Sequence, residues 1–63
     1  MSFADNIDHY EERARQERDA AERSFCPEAR RAHLSLALEH DRAAERERQR
    51  AAELAARKPH EDA

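Results

Sequence analysis

Sixty-three residues carrying fifteen acidic and twelve basic side chains, net charge −3, describe one small polar unit. Once fourteen alanines are set aside, ten hydrophobic residues remain: four Leu, two Phe and one each of Ile, Tyr, Met and Cys. That excludes a large globular enzyme and a membrane-spanning chain, and with Ile7 as the only β-branched residue it excludes a β-sheet domain.

Ala, Arg, Glu, Leu and Gln favour helix, so the expected fold class is all-α. Ser2 or Asp5 caps a first helix over about residues 3–24. Its seam is Phe3, Ile7, Tyr10, Ala14, Glu17, Ala21 and Ser24, stepping alternately by four and three. Pro27 lacks an N–H and suits a first helical turn, so residues 25–26 form a turn and a second helix starts at residue 27. Cys26 falls where an N-cap belongs. The second helix runs to about residue 58, and Pro59 ends it before a frayed tail over 59–63.

The second seam reads Ala29, His33, Leu36, His40, Ala44, Glu47, Ala51 and Leu54, with one phase shift. The alternation Leu34-Ser35-Leu36-Ala37-Leu38 mimics a strand, but the helical period continues on both sides of it. The short connection predicts an antiparallel hairpin with Tyr10 near His40. The second helix overshoots the first and leaves Ala51 and Leu54 without a partner. A chain this small also needs a partner to bury enough apolar surface. The expectation is a coiled-coil-like homodimer that forms a four-helix bundle.

The pattern Tyr10, Arg13, Glu17, Ala21, then Pro27-Glu28-Ala29-Arg30, His33-Leu34 and Leu36-Ala37, resembles small uncharacterised helical-hairpin proteins of Arg- and Ala-rich alphaproteobacterial genomes. The likeness covers roughly residues 10–45. This chain departs from that pattern at Cys26, where a polar cap is common, and at His40, where an aromatic is common. The resemblance implies a fold and supplies no activity.

Candidate chemistry is sparse. His33 and His40 are seven apart, about 10.5 Å along a helix, too far to share a metal ion within one chain. No metal or cofactor is expected. The thiolate of Cys26 is favoured by the helix dipole and opposed by Glu28, so it reads as a redox-sensitive or chain-linking residue, or as a plain cap filler. No glycine is present to build a phosphate loop or nucleophile elbow, and no serine has a base arrangement beside it. No catalytic residue is assigned and the chain is not read as an enzyme.

Residues 41–50 hold four Arg against three acids, and Arg42–Glu45, Glu45–Arg48 and Glu47–Arg50 suit helix-surface pairing. The first helix is net −3 and the second net +2, which favours their mutual pairing. Leu34 and Leu38 point away from the seam on one outward face. With Ala51 and Leu54 they form the expected interface. The function expected is a cytoplasmic protein-interaction module, an adaptor or regulator. The alternative is a nucleic-acid-associated regulator using the Arg-bearing face of the second helix. A reducing cytoplasm follows from one unpaired Cys and an N-terminus that does not read as a secretory signal.

Overall fold

A computed structural model describes residues 2–57. Two helices, α1 over Phe3–Arg23 and α2 over Pro27–Ala56, pack together as an antiparallel hairpin. The molecule is a rod of 60 × 15 × 12 Å. Its radius of gyration is 16.2 Å, against about 11 Å for a compact domain of this length. No described helix is long and apolar enough to cross a membrane. The expected end of the second helix at Lys58, the stop at Pro59 and the tail lie outside the described residues.

Each helix end has a local cause. The Ser2 hydroxyl accepts from the Asp5 amide at 3.1 Å, and Ser2 O accepts from the Asn6 amide. The first bond caps a first-turn donor that would otherwise be unpaired, and the second is the first bond of the helical ladder. Ser24 leaves helical geometry at φ −86°, ψ 132°, ending α1 one residue before the expected boundary. Cys26 is extended at φ −94°, ψ 121°, and Pro27 opens α2. The turn is tied across its base. The Arg30 guanidinium donates to Ser24 O at 2.8 Å, and the Ser24 hydroxyl donates to Cys26 O at 3.3 Å.

The buried core is four alanines: Ala14 and Ala21 on α1, Ala37 and Ala44 on α2. They are spaced by seven on both helices. Small side chains at that spacing let two backbones approach closely along one line. The first seam stands as read, with all seven of its members buried or half-buried.

The second seam needs a correction. Leu36 is exposed, and Ala37 takes the buried position beside α1. Leu54, also placed in that seam, is exposed. The inner line of α2 is His33, Ala37, His40, Ala44, Glu47 and Ala51, stepping 4, 3, 4, 3, 4 with no phase shift. The physical reason is fit: opposite Ala14 and Ala21 there is room for a methyl and none for an isobutyl group.

Polar pairs flank this line. His33 Nδ1 lies 2.7 Å from Glu17 Oε1, and the rings of Tyr10 and His40 are 6.3 Å apart. Asn6 donates to Glu47 at 3.4 Å. On the other flank Arg18 pairs with Asp41 at 2.9 Å, and Arg48 bridges Glu45 in its own helix and Glu11 in the other.

The alanine seam makes a direct prediction. Ala14→Leu is expected to destabilise the hairpin by about 1–3 kcal/mol through overpacking, read as a lower midpoint in thermal circular dichroism. Leu36→Ala is expected to cost less than half of the about 2–5 kcal/mol of a buried leucine. A Leu36 variant as damaging as the Ala14 variant would put Leu36 back in the core.

Candidate functional site

The residues with most to offer a partner are the large apolar ones left outside. Leu34, Leu36, Leu38 and Leu54 are 41–48% exposed, and Phe25 is fully exposed. Leu34 and Leu38 are one turn apart, which places them on the same face of α2. Leu36 is 200° from Leu34 and occupies the other flank with Leu54. The leucines therefore form two strips, one on either side of the alanine line.

A groove of about 390 Å³ runs beside the first strip, lined by Arg18, Ala21, Glu22, Arg30 and Leu34. It is charged at the rim and apolar beneath. A second hollow, about 470 Å³, is lined by Tyr10, Glu39, His40, Arg42, Ala43 and Arg46. The two are open surface grooves rather than enclosed pockets.

The four expected interface residues separate into two groups. Leu34 and Leu38 sit together near the hairpin tip, and Leu54 stands about 24 Å further along α2. Ala51 is half-buried within the hairpin, so the uncovered end of α2 begins at Ala52. Phe25 carried no sequence signal beyond its position. With Ser24 and Cys26 both extended and Pro27 fixing the entry to α2, the turn is too short to fold an aromatic ring back onto either helix.

His40 is not held by Tyr10 through a hydrogen bond. Its Nδ1 lies 2.8 Å from the Leu36 carbonyl of its own helix, and Tyr10 meets it ring to ring. Among the described residues no group of three or more His, Cys, Asp and Glu is placed to hold a metal ion. Of the three surface pairs expected on α2, Glu45–Arg48 is made at 3.1 Å. Glu47 turns inward to Asn6. Arg42, Arg46 and Arg50 point outward at four-residue spacing, with no ion pair among the described residues.

Cys26 is exposed at the N-cap of α2 and makes no cap hydrogen bond. Its sulfur lies 4.0 Å from a Glu28 carboxylate oxygen. The amides of Ala29 and then Glu28 nevertheless face the sulfur and hold its pKa below the ordinary thiol value. Partial positive charge at the first amides of a helix favours the thiolate, and here it outweighs a smaller opposing desolvation.

The sign of that shift fixes a measurable consequence. A group whose folded pKa is depressed stabilises the fold above its unfolded pKa, and that contribution fades as pH falls through the folded value. Alkylation of folded Cys26 is expected to rise at lower pH than alkylation of the urea-unfolded chain. Superimposed profiles would show that the helix end does not act on the sulfur. Cys26→Ser is expected to keep or raise helicity, since serine is the better N-cap.

No protein-family model, no curated protein and no solved structure matches the chain.

Proposed function

We propose that the chain is a small protein-interaction module, an adaptor or regulator that works as a helical oligomer, in the first place a homodimer forming a four-helix bundle. One observation carries this reading: the distribution of side chains is inverted. The buried core is alanine, and all four leucines and Phe25 are outside it. Four buried methyl groups contribute only about 3 kcal/mol of apolar transfer. Leu34 and Leu38 are about half exposed, so completing their burial in an interface would contribute about 1.5–3 kcal/mol per chain before association costs. A chain that leaves all four of its leucines 41–48% exposed has further apolar burial to gain from a partner.

This reading assigns no catalytic residue, cofactor or metal, and locates the protein in the cytoplasm, where a lone exposed thiol stays reduced. The fold implied by the resemblance to small helical hairpins agrees with it.

One observation favours a second reading. Arg42, Arg46 and Arg50 form an outward stripe on α2, the arrangement a nucleic-acid-associated regulator would use to contact phosphates. Glu39 and Glu53 flank the stripe, and the chain as a whole is net −3, which weakens that field. Steep loss of nucleic-acid binding with added salt would favour this second reading. Association with one protein that persists in salt favours the first.

Sedimentation equilibrium at tens of micromolar is expected to show a dimer or larger species. Leu34→Ser/Leu38→Ser is expected to weaken assembly while the helical signal of the hairpin persists. A stable folded monomer at that concentration, or a double variant that assembles as the natural chain does, would sink the reading.

A further inference from the structure

We infer that α2 carries a second, self-complementary seam through which two copies pack antiparallel across a two-fold axis level with Leu36. The inference rests on the self-association proposed above and specifies its geometry.

The seam is Pro27, Arg31, Leu34, Leu38, Asp41 and Glu45, stepping 4, 3, 4, 3, 4. That is the coiled-coil period repeated on a face turned roughly 120° from the line that meets α1, at 100° per residue. Leu34 and Leu38 are half exposed at its centre. Arg31 is exposed and makes no ion pair among the described residues. The Asp41 side chain is 45% exposed although one oxygen already takes Arg18. It therefore has accepting capacity left for a second cation.

A two-fold interface requires that if residue i meets residue j, then j meets i. Set antiparallel about the height of Leu36, Leu34 of one copy meets Leu38 of the other, twice over. One turn outward on each side, Arg31 meets Asp41. Beyond that, Pro27 meets Glu45. The chemistry is palindromic: four leucines at the centre and an ion pair closing each side.

Neighbouring registers lack this match. A shift of one heptad in one direction sets Leu38 against Asp41 and Arg31 against Arg48. The opposite shift sets Leu34 against Arg31 and Leu38 against Pro27. Only the first register pairs leucine with leucine and arginine with aspartate, and like charges directly opposed are costly. The groove walled by Arg18, Glu22, Arg30 and Leu34 lies beside this seam and gives Leu38 of the second copy a surface to seat against.

The test uses two single variants, Arg31→Asp and Asp41→Arg. In a homodimer of either, both cross-copy pairs become like-charged. In a mixed dimer of one with the other, both pairs are opposite-charged again. Each variant alone is expected to self-associate at least about tenfold more weakly than the natural chain, and an equimolar mixture is expected to recover the affinity. Loss of the Arg18–Asp41 pair within one chain does not predict recovery on mixing.

A monomeric natural chain would overturn the self-association reading itself. A dimeric natural chain whose variants associate unchanged, or whose mixture fails to recover, would overturn this seam and leave self-association standing. A second measurement needs no seam variant. Spin labels on the native Cys26, exposed at the tip, are expected about 30 Å apart, since each lies ten residues from the axis. A parallel or tip-to-tip dimer would bring them to about 10 Å, the spacing of packed helices, and would refute the two-fold.

Discussion

The close contact of two helices through alanine at heptad spacing is the constraint on which the rest of this molecule depends. Ala14 and Ala21 on one helix and Ala37 and Ala44 on the other are the buried points of the line where the two helices meet. Alanine costs no side-chain entropy and is the strongest helix former, so the same residues that permit close approach also hold the helices. What they do not supply is apolar area. About 3 kcal/mol from four methyl groups is small beside the 5–15 kcal/mol that usually separates folded from unfolded domains. With alanine at the four buried positions, the leucines of α2 stand on the flanks of the line. The thin core and the leucine-bearing surface are therefore two results of one packing choice.

Register along that line is chosen by charge. Arg18 pairs with Asp41, and Glu11 pairs with Arg48, each pair a heptad from the other on both helices with the charges exchanged. A slip of one heptad would set Arg18 against Arg48, or Glu11 against Asp41. Exposed ion pairs contribute about 0–1 kcal/mol each, so their role is selection more than strength. On the opposite flank Glu17–His33 and Tyr10–His40 repeat the same seven-residue step. The tie from Arg30 to Ser24 fixes the same register from the turn. Three independent features agree on one alignment, the consistency across levels expected of a sequence that specifies a single fold.

Much of the hairpin was legible in the sequence because helix signals are local. Pro27 and Ser2 mark helix starts by chemistry confined to one turn; α2 begins at Pro27, and α1 at Phe3 behind Ser2, one of the two caps the sequence offered. The inner face of α1 was legible because its apolar residues lie on a single stripe. The inner face of α2 was harder to read, because Leu36 and Ala37 are adjacent and hydrophobicity alone favours the leucine. The deciding signal was size: alanines seven apart on α2 answer alanines seven apart on α1, and only the paired pattern shows it. Phe25 could not be judged from its residue type, since its exposure follows from the geometry of a turn three residues long. The Leu34–Leu38 face was readable as an outward strip, and the structure adds Asp41 at its edge, already neutral toward α1 yet still open to solvent.

The charges of α2 divide into two kinds, and the division bears on what the surface can bind. Arg30 and Arg48 are committed to the fold, one to a turn carbonyl and the other to Glu45 and Glu11. Arg48 donates to both carboxylates, and its hydrogen bonds to Glu45 and then Glu11 raise its pKa further. Among the remaining cations, Arg31 lies on the leucine-bearing face, and Arg42, Arg46 and Arg50 form a separate outward row of three. Three phosphate contacts correspond to a salt slope of about −3, shallow for a protein whose main partner is a duplex. The leucine strip is adjacent to this stripe around α2 and does not coincide with it. A second copy seated on Leu34 and Leu38 would leave Arg46 and Arg50 facing solvent in both chains. Dimerisation by itself would then double the available cations on one particle, and any attraction to a polyanion would be a property of the assembled form, second in sequence to the burial of the leucines.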